Sequence, residues 1–283
     1  MKQTAVIGVD LGGTNVRAGK VTGQDVVKHE ARAITSRGSQ ETVLEEIRQT
    51  IAAVSGADVS AIGIGVPSLV DVEKGIVYTV ENIPSWKEVP LKEFLEKAFA
   101  VPVHVNNDAN CFALGEFYFG SGRGFRHLVG MVVGTGLGAG IIINGKLYCG
   151  RNCGAGEIGT IPYKEHTIEY YCSGQFFQRQ YGVDGGTLHQ QAQRGDPRAL
   201  EIFVAFGDDF GHAVMTALYA YDPEIIVLGG SVSKAWPFFE TAVRKKLQAF
   251  AFPHALTRLL ILPSQIPDIA ILGAAGLCYD AEK

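Results

Sequence analysis

The sequence has little cysteine, no long apolar run and little net charge, and each shortage excludes something. Five cysteines (Cys111, Cys149, Cys153, Cys172 and Cys278) make an odd set with no CxxC pair. That argues against a disulfide framework, and most of them read as small buried hydrophobes in a reducing compartment. Cys149 and Cys153 are spaced Cx3C, but no second cysteine pair or nearby histidine pair completes a metal site. No stretch of about 18 apolar residues offers a bilayer span, and the opening MKQTAVIGVDLGG lacks the apolar core of a secretory leader, so cytoplasm and no membrane are expected. A net charge of −4, with no basic stripe or polybasic run, leaves no nucleic-acid footprint. Low-complexity segments and short repeats are absent too. What is present is 47% hydrophobic and 19% charged residues over 283 positions, the composition of a soluble globular enzyme with one large or two modest domains.

The order of elements carries the next inference. Residues 4–10 read as a buried strand, a glycine turn follows, and VRAGKV and DVVKHEARA read as further strands. Val43, Ile47, Ile51 and Val54 recur at helical spacing over 40–54. AIGIGVP is a strand, 91–99 a short helix, and VPVHVNND a strand leading into a helix near Asp108. The second half repeats the theme. HLVGMVVGTG enters a Gly-rich turn, GAGIIING leaves it, a helix spans about 196–221, and PEIIVLGG ends in glycines. This predicts two α/β domains of related design with a cleft between them, the boundary falling near the SGRGF loop. The domains expected are 1–118 and 119–271, with a closing helix over 272–283 that returns to the first.

Five motifs carry candidate chemistry. In Asp10-Leu11-Gly12-Gly13-Thr14-Asn15, consecutive glycines present backbone N–H groups to a phosphate with no Cβ in the way. Thr14 adds a donor, and Asp10 suits the water shell of Mg²⁺; a plain glycine turn with a surface Asp fits the same letters. Gly134-Thr135-Gly136-Leu137-Gly138-Ala139-Gly140 is not GxGxxG and runs into a strand, which argues for a hairpin phosphate loop and against a dinucleotide fold. A Walker A reading of GIIINGKL fails for want of the final Ser/Thr. In Asn106-Asn107-Asp108-Ala109-Asn110, Asp108 suits either a general base or a helix cap. Gly156-Glu157-Ile158-Gly159-Thr160 and the later Glu169 suit sugar hydroxyls, or are surface loop charge. Asp222 to Ser231 forms a strand ending in Gly229-Gly230, where backbone can approach a flat ring such as adenosine.

Taken in this order, from about residue 5 to residue 278, the five motifs resemble the ROK family (repressor, open reading frame, kinase) of bacterial sugar kinases. The resemblance implies two actin-like ATPase (ribonuclease H-like) domains, ATP and Mg²⁺ as cofactors, a small-molecule sugar as acceptor, and a homodimer. It implies that Asp10, Gly12, Gly13, Thr14, Gly134, Thr135 and Gly136 serve the phosphates and the metal, and that Gly229 and Gly230 lie on the adenosine side. Asp108 is then the base and Asn107 touches the sugar, with Gly65, Pro67, Asn82, Glu157 and Glu169 at further sugar-side positions. Glucose is the default acceptor, with an N-acetylhexosamine, fructose or allose as the other choices.

Three departures from the family pattern concern the sugar side. Thr160 stands where the family has His, and it would make at most one weaker contact to the sugar. GxPG has become Gly65-Val66-Pro67-Ser68. KEHTIE replaces the Cys-rich zinc segment before Glu169, so no structural zinc is expected, and the loop 161–171 would pack through Tyr163, Ile168, Tyr170 and Tyr171. Three other readings compete with the kinase. A repressor needs an N-terminal helix-turn-helix domain, for which the first strand leaves no room; the others are a catalytically idle sugar sensor and an ATPase without an acceptor.

Overall fold

The computed structural model describes residues 4–282; Met1–Gln3 and Lys283, which the expected limits of 1–118 and 272–283 take in, lie outside the described residues. Strand β1 (Ala5–Leu11) is buried along nearly its whole length, as a central strand flanked on both faces must be. With β2 (Asn15–Thr22), β3 (Asp25–Ala33), β4 (Val59–Val66) and β5 (Val103–Asn107) it forms a five-stranded sheet of order β3-β2-β1-β4-β5. The β1-β2-β3 flank is antiparallel, whereas β4 and β5 run parallel to β1. Helix α1 (Gln40–Val54) buries Val43, Ile47, Ile51 and Val54, and Ser39 caps it by accepting from the Thr42 N–H. Helix α2 (Leu91–Phe99) buries Leu91 and Leu95, and α3 (Asp108–Phe119) follows β5 with no intervening residue.

A second sheet repeats that plan. Its strands are β6 (Leu128–Val133), β7 (Leu137–Ile143), β8 (Lys146–Leu147), β9 (Ile225–Gly229) and β10 (Leu260–Pro263), in the order β8-β7-β6-β9-β10. Again a hairpin, β7–β8, lies on one flank, and β9 runs parallel to β6 and to β10 on the other. The fold is therefore α/β with two halves of related design. Several helices of this half were not among the elements expected from the sequence. These are α4 (Ile168–Cys172), α5 (Gln175–Tyr181), α6 (Gly185–Gln193) and α8 (Trp236–Leu247). The long α7 (Pro197–Tyr221) packs on α8 through Phe203, Phe206, Phe210 and Phe239, and the short α9 (Pro253–Leu256) precedes β10.

The chain divides into two compact units: 1–124 with 140–155 and 265–283, and 125–139 with 156–264. The expected limit at 118 falls inside the last turn of α3, and the division lies after Gly124. Helix α10 (Ile269–Asp280) belongs to the first unit and is buried almost all round. It lies directly on the sheet because Gly8 and Gly63 have no side chain there. A Cβ on them would fall 1.9 Å from the Ile271 carbonyl oxygen and 1.8 Å from that of Ala274. Among the described residues no helix is long and apolar enough to cross a membrane.

Candidate active site

In the first unit, strand register brings three of the motifs into one row. Asp10 pairs with Gly65 across β1 and β4, and Gly65 pairs with Asn106 across β4 and β5. All three lie at the carboxyl ends of parallel strands, where open α/β sheets bind ligands. A cavity of about 440 Å³ at this end is lined by Asp10, Gly12, Thr14, Asn15, Arg17 and residues 31–33. The Gly12 N–H donates to the Asn15 carbonyl at 2.8 Å and closes the turn. Arg17 donates to Asp10 Oδ2 through Nε at 3.0 Å and Nη2 at 2.6 Å, a partner that sequence reasoning did not single out. Gly13 faces Asn82 so closely that a Cβ there would lie 2.6 Å from the Asn82 Cβ, so the first turn and the ENIPSW loop meet.

The end of β5 resolves one ambiguity in the sequence. The residue capping α3 is Asn107, not Asp108: Asn107 Oδ1 accepts from the N–H groups of Ala109 at 2.8 Å and Asn110 at 3.4 Å. Asn107 Nδ2 donates to the Ser68 carbonyl at 3.3 Å, which ties the cap to the GVPS turn that also holds Pro67. Asp108 is exposed in the first turn of the helix, its Oδ1 accepting from the Ala109 N–H at 2.9 Å, where an anionic group complements the helix dipole. A Cβ on Gly65 would come 3.5 Å from the Asp108 Cα, so the two motifs are packed neighbours.

The second unit assembles a different set. Gly134 closes its turn by donating to the Gly136 carbonyl at 3.0 Å and accepts from the Gly174 N–H at 2.7 Å. Glu169 Oε2 accepts from the Leu137 N–H at 2.8 Å, and a Cβ on Gly136 would stand 2.5 Å from that oxygen. Register places Gly229 opposite Val132, and Gly230 (φ 83°) leaves no room for a Cβ, which would meet the Val133 carbonyl oxygen at 2.3 Å. A cavity of about 370 Å³ lies beside these turns. Gly134, Thr135, Gln175, His189, Phe203 and Ser231 are among its lining residues. The helix-borne members of this lining went unread in the sequence; the Ser173-Gly174 pair was the one signal pointing toward them.

Glu157 and Glu169 belong to the same unit. Loss of solvent around the Glu157 carboxyl, and then the charge of Glu169, raise its pKa above the ordinary carboxylate value. Thr160 donates its hydroxyl to the Glu157 carbonyl at 2.8 Å and so trims the short 3₁₀ turn of Ile158–Thr160. The 161–171 segment packs through its own side chains. Tyr163 stacks on His212 at 4.1 Å and meets Tyr171 edge-on, Ile168 is fully buried, and His166 stacks on Tyr170. Tyr163 and Lys164 both donate to Oδ1 of the buried Asp209 on α7. Among the described residues no group of three or more His, Cys, Asp or Glu side chains is placed to hold a metal ion.

The ROK family profile matches residues 6–281 of the chain. A glucokinase of Thermotoga maritima is 31% identical over 98% of this chain and 98% of its own length. A putative xylose repressor of Caldicellulosiruptor sp. is 26% identical over 96% of this chain and 77% of its own. Among solved structures, a ROK family glucokinase from Streptomyces griseus in complex with glucose and AMPPNP superposes with a TM-score of 0.80. Its identity is 29%, covering 96% of this chain and 98% of that one.

Proposed function

The chain belongs to the ROK family and has its actin-like ATPase fold; from that premise we propose that it is an ATP-dependent hexose kinase with Asp108 as general base. The observation that carries this reading is the division of labour at the end of β5. Asn107 does the capping, and the Asp108 carboxylate beside it is exposed in the first turn of the helix. The kinase relatives support phosphoryl transfer to a sugar, with glucose as the default acceptor.

In this mechanism the acceptor hydroxyl gives its proton to Asp108 as its oxygen bonds to the γ-phosphorus. The bond from that phosphorus to the bridging oxygen breaks, and ADP leaves. Phosphoryl transfer asks the protein mainly for position and charge stabilisation. Backbone N–H groups of Gly13 and Thr14 and of Thr135 and Gly136 supply it on the phosphate side, where Gly12 and Gly134 close the turns, and the Gly229-Gly230 strand end and the cavity of Gln175 and His189 receive the nucleoside. Asn82, Asn107, Glu157, Thr160 and Glu169 serve the sugar, with Gly65 and Pro67 shaping its wall. A single strand-end carboxylate beside a glycine cradle fits Mg²⁺, which keeps most of its waters and takes its other ligands from the phosphates. Asp10 would hold that ion through water, and the ion would neutralise phosphate charge. The expected assembly is a homodimer.

A coupled assay of ADP release over a panel of hexoses and N-acetylhexosamines tests the proposal. A hexose kinase releases ADP only when its sugar is present. The relative named as a repressor keeps a second reading in view, a catalytically idle sugar sensor, for which no sugar elicits ADP. Equal ADP release with and without sugar would mean an ATPase lacking an acceptor.

A further inference from the structure

All five cysteines are free thiols, but they are not alike. Cys111, Cys172 and Cys278 are buried, and burial pushes their thiols up, well above the ordinary value for the first two and to about 12 for Cys278. Such thiols are inert. Cys149 and Cys153 instead share two buried amides. Asn106 Nδ2 lies 3.4 Å from Cys149 Sγ, and Cys153 Sγ lies 3.3 Å from Asn106 Oδ1. Asn110 Nδ2 stands 3.8 Å and 3.7 Å from the two sulfurs. That amide serves the sulfurs and Asn106, while its own buried Oδ1 has no hydrogen-bond partner, a cost that plain packing would not incur.

The loop carrying the pair turns back on itself. The Ala155 N–H donates to the Cys149 carbonyl at 3.1 Å, and Cys153 holds a φ of 56°, in the left-handed region that a cysteine seldom adopts. The two sulfurs share their partners: Asn106 Oδ1 lies 3.8 Å from Cys149 Sγ and 3.3 Å from Cys153 Sγ, and the Asn110 amide stands beside both. The neighbouring Cys149 thiol, and after it the Asn110 amide, hold the Cys153 thiol below its ordinary value, while Cys149 itself goes up. Cys153 is buried, but Cys149 is half-buried and lines a cavity of about 260 Å³ with Val72, His104, Asn106, Leu147 and Asp280. One sulfur is reachable, and the other waits beside it.

We propose that Cys149 and Cys153 form a thiol–disulfide exchange site, closing a reversible intrachain disulfide at the expense of a low-molecular-weight disulfide of the glutathione type. The pair holds one proton between its sulfurs; as Cys149 Sγ attacks the small disulfide, that proton passes to Cys153 Sγ. The first small thiolate leaves and takes this proton. Cys153 Sγ, now a thiolate, attacks Cys149 Sγ and expels the second. Two protein thiols are oxidised to one disulfide as one small disulfide is reduced to two thiols. The consequence for turnover rests on the function proposed above. Asn106 Oδ1 also accepts from the Asn107 N–H at 2.8 Å and lies 3.8 Å and 3.3 Å from the two sulfurs, so joining the sulfurs disturbs the strand end that leads into Asp108.

Peptide mapping of the full chain tests the site without any turnover. The protein is equilibrated with oxidised and reduced glutathione, trapped by alkylation and cut with trypsin. Cleavage after Lys146, Arg151 and Lys164 puts the two cysteines on separate peptides. The proposal expects these peptides joined by a disulfide that dithiothreitol reverses, while Cys111, Cys172 and Cys278 react only after unfolding. Cys153→Ser should trap glutathione on Cys149. Free alkylation of both cysteines at every ratio would overturn the site, as would a mixed disulfide on Cys149 that the wild-type chain never resolves. Slower turnover of the oxidised wild type, absent in Cys149→Ser, supports the link to Asp108; a joined pair with unchanged turnover removes that link.

Discussion

The strand ends of the two sheets differ in kind although the sheets share one plan. Asp10, Gly65 and Asn107 lie at the carboxyl ends of strands β1, β4 and β5 and Asp108 follows directly, so the first unit brings carboxylates to its edge. Their counterparts β6, β9 and β10 end at Gly134, Gly229-Gly230 and Pro263-Ser264, with no charge of their own. In the second unit a carboxylate from a helix, Glu169 on α4, fastens the Gly134–Gly136 turn. Duplicated topology has thus been given two tasks. In the proposed function the base and the metal-side carboxylate stand in the first unit, and the glycine ends of the second unit's strands offer bare backbone to a phosphate or a flat ring.

The largest break in this contrast should come from removing charge in the first unit. Asp10→Ala is expected to lower kcat/KM for Mg-ATP by ~10²-fold or more, the scale of losing one preorganised electrostatic group. Steady-state kinetics with ATP varied would show it, and a change under twofold would mean that Asp10 serves only its ion pair with Arg17.

Backbone is the vulnerable part of the second unit. Gly230→Ala places a Cβ 2.3 Å from the Val133 carbonyl at a φ of 83°. A loss of ~1–3 kcal/mol in unfolding free energy follows. Gly134, by contrast, has nothing within 4 Å of an added Cβ. Urea denaturation of Gly134→Ala should therefore match the wild type while its KM for ATP rises. Equal destabilisation of the two variants would show that the Gly134 turn has no spare space to offer a phosphate.

The smallest effect is electrostatic. Glu157 titrates above the ordinary carboxylate value, first because solvent is withdrawn from it and second because Glu169 is close. In Glu169→Gln its midpoint should fall, but not all the way, and carboxyl NMR shifts against pH would follow it. The sign for stability runs with protonation. A raised folded pKa means that the contribution of Glu157 is complete below the ordinary carboxylate pKa and is lost as pH rises through the raised one. Glu157→Gln should accordingly gain melting temperature over the wild type across that window, and a gain that shrinks with rising pH would contradict the assignment.

Much of this was legible in the sequence, for physical reasons. Val43, Ile47, Ile51 and Val54 had to share a helix face, and the glycines after β1, β6 and β9 mark where strands turn. Which of Asn107 and Asp108 caps α3 was not legible, because both residue types cap helices and only the coordinates of Ala109 and Asn110 decide. The cavity beside Gly134 escaped notice because Gln175 and His189 sit on short helices with no repeating apolar pattern. The thiol pair escaped because its partners, Asn106 and Asn110, lie about forty residues away in the chain and meet it only through the fold.

The proposed placing of the general base in the first unit meets its most direct test at Asp108. Asp108→Asn keeps the shape and the hydrogen bond to Ala109 but cannot accept the sugar proton. Loss of a general base costs ~10²–10⁴ in rate. Rapid-quench measurement of phosphoryl transfer at saturating sugar and ATP, alongside ATP binding by calorimetry, should give a kcat reduced by that factor with ATP affinity unchanged. A variant that keeps half of the wild-type kcat would contradict the account.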